Sequence, residues 1–85
     1  MLFECVIATP FERYQENVHM VTLPGAKGIL GVLINHAPMM VMLAEGEINL
    51  YETASHIVKR FKTKEGYAHI TPTFCHVYVK GLEIV

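Results

Sequence analysis

The sequence contains no aspartate and a single serine, and these two scarcities together remove a large part of hydrolytic chemistry. A Ser-His-Asp triad cannot be assembled from it. Ser55 follows Ala54 in a turn-like stretch, without the Gly-x-Ser-x-Gly setting that lifts a nucleophile between a strand and a helix, so it reads as a turn residue. Cysteine is nearly as scarce. Cys5 and Cys75 each lie within an apolar strand pattern, away from the basic or helix-N-terminal settings that lower a thiol pKa. Both are expected to be reduced, buried and inert. Long hydrophobic runs are absent as well: Ala37 to Ala44 is eight residues long and contains Pro38, against the roughly 20 that a membrane-spanning helix needs. No segment is expected to insert directly into a bilayer. The opening Met1-Leu2-Phe3-Glu4 has neither the basic region nor the long apolar region of a leader, and reads as mature cytosolic sequence.

Phosphate and metal sites find little support either. The glycines fall as Gly25-x-x-Gly28-x-x-Gly31, which is not the Gly-x-Gly-x-x-Gly of a dinucleotide site, and no helix follows to present its N–H groups to phosphate. Five histidines, His19, His36, His56, His69 and His76, are present with the two cysteines, yet no C-x-x-C or H-x-x-x-H spacing occurs. Neighbouring Cys75 and His76 point to opposite faces of a strand. The reading is therefore no catalytic residue, no metal and no cofactor. Net charge is −1, so long-range electrostatic steering is weak and the sign can change near pH 6 as histidine titrates.

What the sequence does contain is short strands. No window sustains the i, i+3, i+4, i+7 pattern of an amphipathic helix. Phe3, Cys5 and Ile7 alternate with Glu4, Val6 and Ala8 before Thr9-Pro10 stops the run, because proline cannot donate to a ladder. Further strands are predicted over Asn17–Leu23, Met39–Leu43, around Ile48 and Leu50, and over His56–Lys62, Tyr67–Thr71, Phe74–Val79 and Leu82–Val85. Met39–Leu43 is continuously apolar, as a strand covered on both faces would be; its methionines, with Met20, read as core filler, with an adaptable binding surface as the alternative. Gly25 to Gly31 is expected as a shaped loop holding a short strand. Strands at this spacing predict an all-β sandwich or barrel, in one domain spanning residues 1–85.

Lys59, Arg60, Lys62 and Lys64 hold four of the seven positive charges beside Phe61 and Tyr67, the composition of a single-strand nucleic-acid surface. Strand alternation divides them between two faces, and lysine also protects an exposed sheet edge from pairing. A free-standing oligonucleotide-binding β-barrel is the alternative that this strand keeps open; the main reading is a solvated edge strand.

The segment Val21-Thr22-Leu23-Pro24-Gly25-Ala26-Lys27-Gly28-Ile29-Leu30-Gly31-Val32-Leu33-Ile34-Asn35-His36-Ala37-Pro38 resembles the pattern of the ATP synthase epsilon subunit. The family's glycines fall on Gly25, Gly28 and Gly31, its His-Ala-Pro on His36, Ala37 and Pro38, and its Leu-x-x-Gly on Leu43 and Gly46. It departs at Thr71-Pro72-Thr73, where the family has Ser-Gly-Gly, and the family's C-terminal helical pair does not follow Val85. The resemblance implies a ten-stranded β-sandwich, a non-catalytic central-stalk rotor subunit of a proton-translocating synthase without the inhibitory helices. Its implied partners are gamma and the c-ring. Lys27 and Ile29 of the Gly25–Gly31 loop would face the ring, and His36-Ala37-Pro38 would lie near gamma or simply fix the loop as a satisfied turn. The subunit would be monomeric when isolated, peripheral, and on the cytoplasmic face of a bacterial inner membrane.

Overall fold

A computed structural model describes residues 1–85. It contains ten strands and no helix: β1 (Phe3–Ala8), β2 (Arg13–Val18), β3 (Met20–Gly25), β4 (Gly28–Leu33), β5 (Met39–Leu43), β6 (Gly46–Thr53), β7 (His56–Thr63), β8 (Gly66–Ile70), β9 (Phe74–Val79) and β10 (Leu82–Ile84). One layer pairs in the order β10-β7-β6-β3-β4 and the other in the order β5-β8-β9-β1-β2. A single pairing, Gly25 with Leu43, joins them at one corner, so the sheet curls back on itself as a sandwich. Every ladder is antiparallel except β1 with β9.

Period-2 alternation accounts for the core. Phe3, Cys5 and Ile7 of β1, Val21 and Leu23 of β3, Ile48 and Leu50 of β6, Phe61 of β7 and Val77 of β9 are buried between the layers. Neighbouring positions such as Glu47, Arg60 and Lys62 face water. Phe61 is fully covered and meets Tyr14 edge-on, with ring centroids 5.0 Å apart. Burying such a ring contributes about 2–3 kcal/mol relative to leaving it in water.

Three sequence expectations are corrected here. The run over Asn17–Leu23 is two strands, because the chain passes from one sheet to the other at His19. β2 pairs with β1 as far as Val18, and β3 pairs with β4 and β6 from Met20, while the His19 N–H donates to the Tyr51 carbonyl at 2.8 Å. β2 escaped the pattern because its inward positions include Tyr14 and Glu16, the phenol of Tyr14 donating to the Glu16 carboxylate. The Gly25–Gly31 segment is less a loop than a β-hairpin, with Ala26-Lys27 as its turn and Gly31 inside β4. Finally, β7 is an edge only in part: β6 runs along one side of it, while β10 covers Phe61–Thr63 alone on the other.

Two glycines are dictated by close backbone approach. A Cβ on Gly25 would lie 2.6 Å from the Gly28 carbonyl oxygen across the hairpin, and one on Gly66 would overlap the Tyr78 carbonyl and lie 2.7 Å from Val79 Cα. Gly31, in contrast, has no positive φ, and an added Cβ would meet only Met20 Sδ at 3.9 Å.

Candidate functional site

The hairpin of β3 and β4 projects at the corner where the two sheets meet. Its tip is fastened to β5 rather than free: the Ala26 N–H donates to the Met42 carbonyl and the Ala44 N–H to the Pro24 carbonyl, each at 2.9 Å. Gly28 takes φ 140° at the turn, a conformation that costs an L-residue strain. This anchoring holds Lys27 and Ile29 outward; Ile29 is 84% exposed.

Beside the tip runs β5, and here the expectation of buried methionines fails. Met39, Met40 and Met42 are 40%, 61% and 69% exposed. Their continuous apolar run belongs to an outer strand paired along its length only with β8, in place of the expected strand covered on both faces. The hairpin tip and the β5 methionines together line an open groove of about 470 Å³. Exposed apolar side chains gathered at one place, as opposed to scattered singly, mark a surface that something covers.

After β4 the chain turns through Ile34-Asn35 into His36-Ala37-Pro38. Asn35 adopts φ 64°, which asparagine tolerates better than most residues. Its N–H donates to the Pro72 carbonyl at 2.7 Å, so a close backbone approach is present at Thr71-Pro72-Thr73 without the glycines. The His36 N–H donates to the Leu33 carbonyl at 3.2 Å, and its Nδ1 lies 2.8 Å from the Ala37 carbonyl oxygen. The segment is thus a hydrogen-bonded turn, with Ala37 and Pro38 exposed. The structure brings Gly25, Lys27, Gly28 and Ile29 together at the tip, places Gly31 further along β4, and sets His36, Ala37 and Pro38 at the opposite end of that strand. The exposed methionines of β5 depart from the core-filler reading and fall on the side of its alternative, an adaptable surface.

The other chemical candidates resolve into structural roles. Cys5 and Cys75 are fully buried register partners across β1 and β9. The hydrogen bond to Cys75, followed by burial, pushes the Cys5 thiol up and away from thiolate chemistry. Ser55 sits in the β6–β7 turn, its N–H donating to Thr53 Oγ1 at 3.4 Å. No three His, Cys or Glu side chains gather as a metal set. His76 Nε2 lies 3.6 Å from Glu4 Oε2, and its ring stacks on Phe74 with centroids 4.1 Å apart. On β7, Lys62 stands in register between Glu47 of β6 and Glu83 of β10, Lys59 lies 5.6 Å from the Tyr14 ring, and Lys64 pairs with Glu45, so these cations go to separate partners and make no continuous phosphate-tracking face.

Residues 3–85 match the family described as the ATP synthase, Delta/Epsilon chain, beta-sandwich domain. The ATP synthase epsilon chain of Granulibacter bethesdensis is 43% identical over 72 residues, covering 84% of this chain and 53% of the relative; the chain thus spans about half that relative's length. Among solved structures, a chain of the Euglena gracilis mitochondrial ATP synthase, determined as OSCP/F1/c-ring in rotational state 1, superposes with TM-score 0.87 at 19% identity, covering 98% of this chain and 53% of that one. A chain of the Tetrahymena thermophila mitochondrial ATP synthase central stalk and c-ring gives TM-score 0.78 at 16% identity, covering 95% and 65%. Those two likenesses establish the β-sandwich fold, and the family match and the epsilon-chain relative carry the assignment: the chain belongs to the ATP synthase delta/epsilon β-sandwich family.

Proposed function

We propose that this domain is a non-catalytic rotor component of a proton-translocating F-type ATP synthase, linking the gamma subunit to the c-ring so that ring rotation reaches the catalytic subunits. The observation that carries this reading is the anchored hairpin with its exposed apolar surroundings. Ile29 and the β5 methionines form a surface made for a partner, on a fold shared with chains of a solved central stalk and c-ring. Gly25, Lys27, Gly28, Ile29 and Gly31 face the ring, and His36, Ala37 and Pro38 lie against gamma. Rigidity suits the role: torque is transmitted only through contacts that do not yield, and the tip is tied to β5 by backbone hydrogen bonds.

On this reading the domain is an accessory subunit of a membrane-bound complex, peripheral to the bilayer on the cytoplasmic face of a bacterial inner membrane. No helix is long and apolar enough to cross a membrane; attachment runs through the ring. The test is reconstitution with the gamma subunit and c-ring of the same organism. The chain is expected to co-purify with both, and ATP-driven proton pumping is expected to fall when it is withheld and to return when it is added. Failure to associate with either subunit, or pumping indifferent to its presence, overturns the reading.

A further inference from the structure

Four strands lie at the edges of the two layers, and one of them is unguarded. β2 carries Arg13 and Glu16, and β10 is three residues long with Glu83 at its centre. β5 is tied to the hairpin through the Met42 carbonyl and the neighbouring Ala44 N–H. β4 pairs with β3 alone, and Gly28–Leu33 has no charged side chain, proline or register shift, the devices that keep an edge from pairing. Its free groups can be assigned. Along an antiparallel ladder, alternate residues turn both backbone groups toward the partner strand and the residues between turn both away. Pro24, opposite Ile29, has no N–H, and its carbonyl accepts from Ala44 on the other side of β3. Ile29, and with it Gly31 and Leu33, therefore directs its N–H and C=O to the open edge; the Leu33 carbonyl accordingly accepts from the His36 N–H at 3.2 Å.

We propose that in the free chain this edge pairs with the same edge of a second copy, antiparallel about a two-fold axis through Gly31, in place of the monomer that the family resemblance implies. The strand is its own complement. In that register Gly31 faces Gly31, Ile29 faces Leu33 and Leu30 faces Val32, so every cross-strand pair is free of charge and no like charges meet. Ile29 and Leu33, 84% and 47% exposed, come together on the outer face on both sides of the axis. The residues that turn their backbone groups outward are the ones that oppose each other, as a hydrogen-bonded ladder requires. Gly31 gains a reason that the fold of one chain does not supply, since a Cβ there would meet only Met20 Sδ at 3.9 Å: at the axis, a bare pair leaves room for the flanking side chains to close over it. A two-fold contact uses each edge once, so association ends at a dimer and does not run on into a fibre. The inference stands apart from the rotor reading and concerns the chain before assembly.

The experiment is sedimentation of the full chain alone over a wide range of concentration, with thermal melting to establish that each variant is folded. The wild type is expected to pass from monomer to dimer as concentration rises and to form nothing larger. Gly31→Lys sets two lysines against each other at the axis and is expected to raise the dimer Kd at least about tenfold. Met42→Glu, on β5, is expected to dimerise as the wild type does. Gly31→Cys tests the register: a hydrogen-bonded pair holds its Cα atoms about 5.5 Å apart, within reach of a disulfide. Under oxidation it is expected to be captured as a covalent dimer at dilutions where Lys62→Cys, on β7, stays monomeric. A wild type that is monomeric throughout, or a dimer unchanged in folded Gly31→Lys, overturns the inference. Loss of the dimer in Met42→Glu alone overturns it too, by moving the contact to the methionines. Association with gamma and the ring is measured separately by the reconstitution above, so the two readings fail independently.

Discussion

The corner formed by β3, β4 and β5 and the end formed by β6, β7 and β10 are built from the same kind of strand, yet they treat charge in opposite ways. At the β7 end, Glu47, Lys62 and Glu83 stand side by side across three strands, and Glu45 pairs with Lys64 at 3.2 Å. A cleft of about 540 Å³ there is lined by both signs of charge. At the hairpin corner one unpaired lysine stands among exposed isoleucine and methionine. The first surface is complete in water, where surface ion pairs add little, typically under about 1 kcal/mol each. The second leaves apolar area uncovered. The lesson is that a concentration of charge in the sequence marked a surface complete in water, and a near absence of charge marked the corner where apolar side chains stay exposed.

Substitutions can break or sharpen this contrast. The largest effect is expected from Phe61→Ala, on the inward side of the basic strand. Removing a fully buried ring that packs on Tyr14 should cost about 3–5 kcal/mol in urea unfolding, while Lys62→Ala one position on should stay within about 0.5 kcal/mol. A small effect at Phe61 would mean that β7 is not seated in the core.

Next in size is Gly66→Ala. Its Cβ would overlap the Tyr78 carbonyl, and only backbone movement relieves that, at a cost on the order of 2–4 kcal/mol. Gly31→Ala, with nothing nearer than Met20 Sδ at 3.9 Å, should change stability by less than about 0.5 kcal/mol. Equal losses at the two glycines would show that β4 is as tightly constrained as β8. At the hairpin corner itself, Ile29→Asp should leave the unfolding midpoint nearly unchanged, because the side chain is 84% exposed, and should sharply weaken association with the c-ring. A loss of stability without loss of binding would reverse the distinction drawn between the two regions.

The smallest expected effect is a pH dependence. Desolvation, and then its hydrogen bond to Glu16, raise the Tyr14 phenol to about 12 in the folded state, against about 10 in an unfolded chain. The protonated form is therefore favoured by folding, and this contribution is fully present below pH about 10 and lost as pH rises toward about 12. Cys5, also raised, acts in the same direction. Tyr14→Phe should flatten the alkaline decline in melting temperature without abolishing it; an unchanged decline would place its origin elsewhere.

The all-β class, the alternating core and the family were legible in the chain itself, because a side-chain period of two survives in any strand with one dry face, and because the Gly25–Pro38 segment carries a distinctive pattern. Glycine positions were legible too, but not their reasons. Gly25 is required by the Gly28 carbonyl across its own hairpin turn and Gly66 by the backbone of a strand remote in sequence, while a Cβ on Gly31 would make only an ordinary contact with Met20; the spacing of the glycines does not separate these cases. The division of residues 13–25 into two strands was decided by which sheet each half joins. The exposure of Met39, Met40 and Met42 was decided in the same way. An apolar run reads alike whether neighbours cover both faces or not, and only the sheet order, which leaves β5 paired along its length to β8 alone, turns it into a surface. Local sequence sets the period and the turns; burial depends on what distant strands place above each face, and that is settled only when the chain is folded.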